Sequence, residues 1–128
     1  MNEKIIESKS NDFYKKLKKI YSNSSYRKNQ NQTILDGPHL IQSFSQNFVP
    51  RAIIKDLSLC NSEIEKIISE LNCPCYNLNH ELFIELSDLK SPTGVLALID
   101  IPKIEPPEAG GLTILLDGIQ DPGNLGSI

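Results

Sequence analysis

The sequence predicts an α/β fold in which helices cover the faces of a sheet. Short apolar segments alternate with amphipathic segments of helical period from about residue 33 to residue 99. The segment TGVLALIDI, residues 93–101, is almost continuously apolar, which is typical of a strand covered on both faces. Regular alternation of strands and helices is typical of layered α/β domains, because strands rich in Ile and Leu cannot face water.

The first thirty residues predict one helix followed by a loop. We expect residues 1–9 to be frayed. Between Asn11 and Tyr21, apolar residues recur at helical spacing, and lysines occupy most of the remaining positions. The next stretch, SNSSYRKNQNQ (residues 22–32), is polar and has no apolar period, so it predicts an exposed loop.

Four strands and three helices are predicted in the body of the domain. The strands lie around residues 33–37, 51–56, 75–78 and 93–101. The helix after the first strand begins at Pro38, since proline suits the first helical position. The second helix has the capping-box spacing of Ser62 and Glu65. The third follows Asn79, a candidate cap, and carries Leu82, Phe83 and Leu86.

A proline-rich stretch divides the chain. PKIEPPEAGG, residues 102–111, holds three prolines and two glycines, which favour neither a helix nor a paired strand. We therefore predict a domain over residues 1–101, a linker over 102–111, and the start of a second unit over 112–128. Within that second unit, LTILLD (residues 112–117) predicts a strand.

Charge is unevenly distributed along the chain. Residues 1–30 hold eight Lys and Arg against three Asp and Glu, whereas the rest holds five against thirteen. A basic arm on an acidic body suggests an anionic partner at the N-terminal end. The alternative is a solvated helix with ordinary lysines, and the charge alone favours this alternative.

The three cysteines do not form a recognisable framework. Cys60, Cys73 and Cys75 are odd in number, and Cys73-Pro74-Cys75 alone cannot supply four metal ligands. We expect small, buried, reduced thiols and no metal site. The sequence shows no signal-peptide core and no apolar run long enough to span a bilayer, so we expect a cytoplasmic protein without a membrane partner.

The last residues form a polar, glycine-containing turn after an apolar run. The turn is GIQDPGNLG, residues 118–126, and Asn124 could cap a helix starting at Leu125. Carboxyl ends of strands are where α/β sheets place ligands. The glycine spacing does not match the dinucleotide fingerprint, and there is no Walker-type motif, which argues against a nucleotide- or phosphate-binding enzyme.

The residues of this turn carry a family resemblance. LLDGIQDPGNLGSI, residues 115–128, resembles the first motif of the SpoU (TrmH-like) RNA ribose 2′-O-methyltransferases, with Asp121-Pro122, Asn124 and Gly126 matching position by position. Residues 26–41 (YRKNQNQTILDGPHLI) resemble the opening of that family's substrate-binding domain, and residues 91–99 (SPTGVLALI) its last strand. Asp36 departs from the family, which commonly has Glu, so a pairing with Arg27 is in doubt.

The resemblance implies a two-domain enzyme. Its N-terminal domain would be a three-layer α/β/α sandwich like the kink-turn-binding ribosomal proteins and would hold RNA, with ribosomal RNA favoured over transfer RNA. Its C-terminal domain would be a knotted, homodimeric SPOUT domain that binds S-adenosylmethionine and methylates a ribose 2′-hydroxyl.

Most of the implied catalytic machinery falls outside the 128 residues. The family's motif-one Arg would follow Ile128, and the motifs that form the knot would come later. Of the family's active-site residues only Asn124 carries over, and no cofactor-binding residue does. One Asn cannot remove a hydroxyl proton. We therefore expect the chain by itself to be an inactive fragment.

The resemblance gives the basic residues a function. We predict RNA contacts at Tyr26, Arg27, Lys28, Lys15, Lys18 and Lys19: cations would neutralise phosphates, and Tyr26 would stack on an unpaired base. Tyr14 and Tyr21 interleave with the lysines in the same way. The alternative is that Tyr21 covers the core and the lysines only solubilise. For the whole chain, the competing interpretation is a stand-alone RNA-binding module of the ribosomal-protein type, with no enzyme attached.

Overall fold

Five strands form one mixed sheet in the computed structural model of the chain, which describes residues 3–87, 91–106, 108 and 110–126. The strand order is β1-β4-β3-β5-β2. β1, β4 and β3 are mutually parallel, and β5 runs antiparallel to both β3 and β2. The strands are β1 Glu3–Ile6, β2 Gln32–Asp36, β3 Ala52–Asp56, β4 Cys75–Leu78 and β5 Val95–Asp100. The four predicted strands are confirmed, and β5 is an interior strand as expected.

The described residues form six helices. They are α1 Asp12–Ser22, α2 Ser24–Gln30, α3 Pro38–Ser45, α4 Ser62–Ser69, α5 His80–Ser87 and α6 Pro122–Gly126. α3 begins at Pro38 as predicted, and the Asn79 side chain caps α5 by accepting from the backbone N–H of Leu82 at 2.9 Å. α4 is capped by Asn61, whose side chain accepts from Ile64 N at 3.0 Å, so the predicted capping box of Ser62 and Glu65 is wrong.

Helices lie on both faces of the sheet. One buried cluster joins α1 and α5 to the sheet, and its largest side chains include Tyr14, Leu17 and Phe83. The other joins α3 and α4 to the opposite face through residues such as Ile41, Ile64 and Ile68. Alternate residues of β3 point to the two clusters, Ile54 to the first and Ile53 to the second. The predicted three-layer α/β/α sandwich is confirmed.

The N-terminal segment is a strand, so the prediction that residues 1–9 are frayed is wrong for the described residues 3–6. β1 pairs with β4 at the edge of the sheet, and Ile6 is buried. Lys55 of β3 reinforces this edge: its buried ammonium lies 3.2 Å from Glu3 Oε1 and 3.0 Å from Glu65 Oε1. Burial lowers the pKa of Lys55, but the hydrogen bonds to both carboxylates outweigh this and raise its pKa above the ordinary value. One buried cation therefore ties the first strand to α4.

The predicted loop after α1 contains a helix instead. α2 is held at its two ends: the Asn23 side chain accepts from Tyr26 N at 3.0 Å, and Asn31 ends the helix with φ +52°. Asn tolerates this left-handed conformation better than most residues, which suits it to end a helix. The prediction was wrong because α2 has no fully buried residue and hence no apolar period.

Burial keeps the three cysteine thiols protonated and unreactive. Cys75 is buried, and burial raises its pKa to about 11, while Cys60 and Cys73 are half-buried. Burial also raises the pKa of Cys60 to about 11, helped by its thiol donating to Glu65. At neutral pH these groups are therefore protonated thiols and poor nucleophiles. In the described part of the chain, no group of three or more His, Cys, Asp and Glu could hold a metal ion.

The C-terminal segment differs from the sheet domain. From Pro102 to Asp121 the described residues contain no helix or strand, so the strand predicted over residues 112–117 is not formed. A strand needs a neighbouring strand for its backbone hydrogen bonds. Leu112, Ile114 and Leu115 are each more than half exposed, so this segment is not packed against the sheet. The predicted linker and motif also include Pro107, Ala109, Ser127 and Ile128, which lie outside the described residues. None of the helices in the described ranges is long and apolar enough to cross a membrane.

Candidate functional site

The predicted RNA-binding residues lie on α1 and α2, which pack side by side over one face of the sheet. α1 is amphipathic: Tyr14, Leu17 and Ile20 are buried, and the lysines occupy the other positions. Lys15 and Lys19 are both exposed, and because they are four residues apart they point to the same side. Lys28, in the last turn of α2, is exposed as well. These three lysines form the cationic set of the candidate site.

Lys18 is partly neutralised by an acidic residue of another helix. Its Nζ lies 3.9 Å from Glu85 Oε2 on α5, and Lys9 donates to the other oxygen of that carboxylate at 2.7 Å. The hydrogen bond from Lys9 lowers the pKa of Glu85 from its ordinary value. Lys18 therefore lies within an ion-pair network, whereas Lys15 and Lys19 form no ion pair with any residue that the structure describes.

Tyr14 cannot contact RNA in the way the sequence suggested. Its side chain is 1% exposed, and its hydroxyl donates to Leu82 O at 2.8 Å, linking α1 to α5. Burial raises the pKa of this phenol. The signal was available in the sequence, because Tyr14 precedes Leu17 and Ile20 at three-residue spacing and so shares their apolar face.

Arg27 has a structural contact that the sequence did not indicate. Its Nη1 donates to Ile20 O at 2.8 Å and to Tyr21 O at 3.0 Å, which are carbonyls at the C-terminal end of α1. These carbonyls have no partner within a regular helix, and a cation there is favoured by the helix dipole. Arg27 forms no ion pair with Asp36, which answers the doubt raised by the shorter carboxylate. The guanidinium keeps Nε and Nη2 without a hydrogen-bond partner among the described residues.

Tyr26 is half-buried and packs against the cluster that contains α1 and α5. Lys19 Nζ lies 5.8 Å from the centroid of its ring, within the range of a cation–π contact. This contact brings a lysine of α1 to an aromatic ring of α2. The two residues thus place a positive charge and a partly exposed ring at the same point of the surface.

Asp36 ends β2 beside these helices, and two hydroxyls hold its carboxylate. Thr93 Oγ1 donates to Oδ1 at 2.6 Å, and the Tyr21 hydroxyl donates to Oδ2 at 3.4 Å. Gly37 follows with φ +101°, so the chain turns sharply into α3. The contribution of Thr93 could not be read from sequence, because it is 57 residues away. Tyr21 is half-buried and its hydroxyl contacts Asp36, and an RNA contact at this residue stays a prediction.

A second polar pair lies at the carboxyl ends of β3 and β4. Asp56 is fully buried, and His80 Nδ1 lies 2.7 Å from its Oδ2. Ser58 donates to Oδ1 through both its backbone N–H, at 2.8 Å, and its hydroxyl, at 2.7 Å. The sequence placed His80 in no motif, and only the fold brings it to Asp56.

The motif-one residues lie on the exposed C-terminal segment. Asp121 Oδ1 accepts from Gly123 N at 2.8 Å, and the short helix α6 begins at Pro122. The expectation that Asn124 caps a helix starting at Leu125 is therefore wrong, because Asp121 and Pro122 already supply a cap and a first position. Asn124 lies inside α6 and is exposed.

Comparison with known proteins gives relatives of one kind, although the chain matches no family model. The chain is 29% identical over 127 residues to the 23S rRNA (guanosine(2553)-2′-O)-methyltransferase RlmP of Bacillus subtilis, a match that covers 98% of this chain and 48% of RlmP. The chain thus spans about half the length of the curated relatives it matches.

Solved structures agree on the fold. A crystal structure of an RNA 2′-O ribose methyltransferase matches with a TM-score of 0.70 at 19% identity, over 96% of this chain and 49% of that one. The SpoU methyltransferase AviRb of Streptomyces viridochromogenes, solved with AdoMet, matches with a TM-score of 0.62 at 14% identity, over 73% and 36%. In sequence the chain is similar to an rRNA 2′-O-methyltransferase, and in fold it is similar to SpoU methyltransferases of known structure, which agrees with the resemblance of its motifs.

Proposed function

We propose that the protein to which this chain belongs is an AdoMet-dependent RNA ribose 2′-O-methyltransferase acting on ribosomal RNA, and that residues 1–101 hold the RNA. The observation that carries the proposal is the similarity to RlmP, at 29% identity over 98% of this chain and 48% of RlmP. That similarity includes residues 112–126, which a stand-alone RNA-binding module would not need. The similarity over these residues therefore favours part of a methyltransferase over a stand-alone RNA-binding module.

The proposal places the AdoMet site mainly outside the described residues. Residues 110–126 are exposed throughout, so nothing in the described chain encloses an AdoMet molecule next to the first motif. Asn124 is proposed as one part of an active site whose other residues would follow Ile128 in the full-length protein. We also expect the full-length protein to form a homodimer through its knotted domain. The contribution proposed for this chain is to bind and position RNA.

Methylation by the full-length protein tests the enzyme class. Incubation with ribosomal RNA fragments and methyl-labelled AdoMet should leave label in a dinucleotide that resists alkaline hydrolysis, because a 2′-O-methyl group removes the hydroxyl that attacks the neighbouring phosphate. The 128-residue chain alone should transfer no label. Label in an alkali-sensitive nucleotide, or on a base, would contradict the proposed reaction.

The basic face gives a second test, at the level of RNA binding. Replacing Lys15 and Lys19 by alanine should weaken binding of a single-stranded RNA on the order of tenfold at low salt, since each lysine would neutralise a phosphate. The slope of log affinity against log salt should fall in magnitude by about one to two. Fluorescence anisotropy at several salt concentrations measures both quantities.

The matched control removes the same charge from elsewhere. Lys66 lies on α4, which covers the opposite face of the sheet, and Lys103 lies beyond β5; both are exposed. Alanine at these two positions should leave affinity and salt slope almost unchanged. Equal losses in the two double variants would mean that net charge, and not the α1 face, determines binding. Arg27→Ala is a poorer test, because it also removes the contacts that close the end of α1.

A further inference from the structure

A small open cavity lies between the end of α1, α2 and the outer edge of β2. Its volume is about 150 Å³. One water molecule occupies about 30 Å³ in the liquid, so the cavity has room for roughly five waters or for the edge of one planar base. Two apolar residues and four polar ones line it: Ile20, Ile34, Tyr21, Arg27, Thr33 and Asp36. An acid and a base of opposite charge therefore face one space without forming an ion pair.

The carboxylate on this cavity is held in place but not saturated. Asp36 accepts from Thr93 through Oδ1 and from Tyr21 through Oδ2. An ionised carboxylate offers about four lone-pair positions, so about two remain for a ligand. Because Thr93 lies on the turn before β5 and Tyr21 on α1, the orientation of the carboxylate is fixed from two sides. The cavity thus presents the two carboxylate oxygens of Asp36 as hydrogen-bond acceptors.

The guanidinium on the same cavity also has unused capacity. Arg27 Nη1 donates to two carbonyls of α1, which restrains the orientation of the guanidinium. Nε and Nη2 have no hydrogen-bond partner in the part of the chain that the structure describes. The cavity therefore offers a donor group beside an acceptor group.

Only one RNA base complements this arrangement. The Watson–Crick edge of guanine carries two adjacent donors, N1–H and N2–H₂, next to the acceptor O6. Adenine and cytosine each present one donor beside acceptor nitrogens that a carboxylate would repel, and uracil has a single donor between two acceptors. Protein sites read unpaired RNA bases along this edge. A carboxylate that accepts twice, with a guanidinium that donates once, selects guanine.

We propose that this cavity receives the Watson–Crick edge of an unpaired guanine of the RNA, with Asp36 accepting from N1–H and N2–H and Arg27 donating to O6. The inference rests on the proposed RNA-binding function and adds base selectivity to it. Ile34, which is half-buried, supplies the apolar contact for the ring. The exposed lysines of α1 and α2 lie on the same two helices and would hold the flanking phosphates.

The experiment compares short RNAs of equal charge. Labelled oligouridylates carrying a single central G, A or C, and one of uridine alone, are titrated with the 128-residue chain. The G-containing RNA should bind on the order of tenfold more tightly than the others, as expected for a paired contact to one base edge. Inosine in place of G should lose most of this preference, because it lacks the N2 amino group. 7-Deazaguanine should keep it, because N7 is not contacted.

A protein variant tests the same contact from the other side. Asp36→Asn should abolish the preference for G, measured as the ratio of the affinities for the G-containing RNA and for oligouridylate, since an amide offers one acceptor and presents N–H donors. Asp117→Asn, which removes a charge from the exposed C-terminal segment, is the matched control and should keep the preference. The inosine comparison uses the unaltered protein, so it decides the question even if Asp36→Asn does not fold.

The outcomes separate the two proposals. Equal binding of all the RNAs, with inosine equal to G, overturns the guanine cavity and leaves RNA binding intact. No binding of any RNA at low salt overturns the proposed RNA-binding function, and the guanine site with it.

Discussion

Replacing Gly94 by alanine should lower the free energy of unfolding by about 2–5 kcal/mol, the sum expected for backbone strain and overpacking. Gly94 is buried and has φ +90°, a conformation that side-chain-bearing residues rarely adopt. A Cβ at this position would lie 2.9 Å from Leu59 Cβ and 3.2 Å from Leu59 O. The backbone cannot easily move away, because Asp56 N donates to Gly94 O at 2.9 Å. Urea unfolding followed by circular dichroism measures the loss.

Gly111→Ala is the control for this substitution. Gly111 has a similar φ of +95°, but no heavy atom lies within 4 Å of its would-be Cβ. It belongs to the exposed segment after the sheet, so we expect its replacement to change the free energy of unfolding by less than about 0.5 kcal/mol. If the two variants were equally stable, the contact with Leu59 would not constrain the turn before β5.

Gly94 also shows what the family resemblance contributed. SPTGVLALI was matched to the last strand of the family's substrate domain, and the structure gives its glycine a physical reason: the turn needs a positive φ and close approach to Leu59. Thr93, one residue earlier, orients Asp36. The short segment thus starts an interior strand and supports the candidate site at the same time.

The sequence predicted those elements that bury many apolar residues. β5 is buried at five consecutive residues, and α4 carries Ile64, Ile67 and Ile68, so both produced a clear pattern. β1 could not be predicted in this way, because only Ile6 of its four residues is buried. Its stability comes from pairing with β4 and from Glu3 bound to Lys55, which are contacts between residues 52 and more positions apart.

The sequence predicted where exposed lysines lie, but not which cations have partners in the fold; RNA contact at these residues stays a prediction. A count of charges placed a basic surface near the N-terminus, and Lys15, Lys19 and Lys28 are exposed there. The count of charges could not distinguish cations that are free to bind a ligand from cations that already bond to other groups of the protein. Arg27 is bound to the end of α1, and Lys18 is near Glu85; both facts depend on which helices pack together.

Asp56→Ala should destabilise the protein by about 3 kcal/mol at neutral pH, because it leaves buried donors without their acceptor. Asp56 is 0% exposed and accepts from His80 and from both donors of Ser58. Burial raises the pKa of its carboxyl, but the hydrogen bonds from His80 and Ser58 outweigh burial, and the net pKa lies below the ordinary value of 3.8. The charged form is therefore favoured in the folded state.

The sign of the pH dependence follows from this lowered pKa. The contribution of Asp56 is fully present above the unfolded value of 3.8 and is lost as the pH falls further, through the folded pKa. Other carboxyls with lowered pKa, such as Glu3 and Asp100, also contribute to loss of stability in acid. The informative quantity is therefore the difference in free energy of unfolding between wild type and Asp56→Ala, which should shrink as the pH falls below about 4.

His80→Ala separates the histidine from the rest of this arrangement. The imidazole is 46% exposed on its side chain, so its removal leaves Asp56 with both Ser58 donors and costs about 1 kcal/mol. A loss as large as that of Asp56→Ala would place the stabilisation in the contact between His80 and Asp56 and not in the hydrogen bonds from Ser58. A difference between wild type and Asp56→Ala that stays constant from neutral pH to about pH 3 would contradict a buried, ionised Asp56.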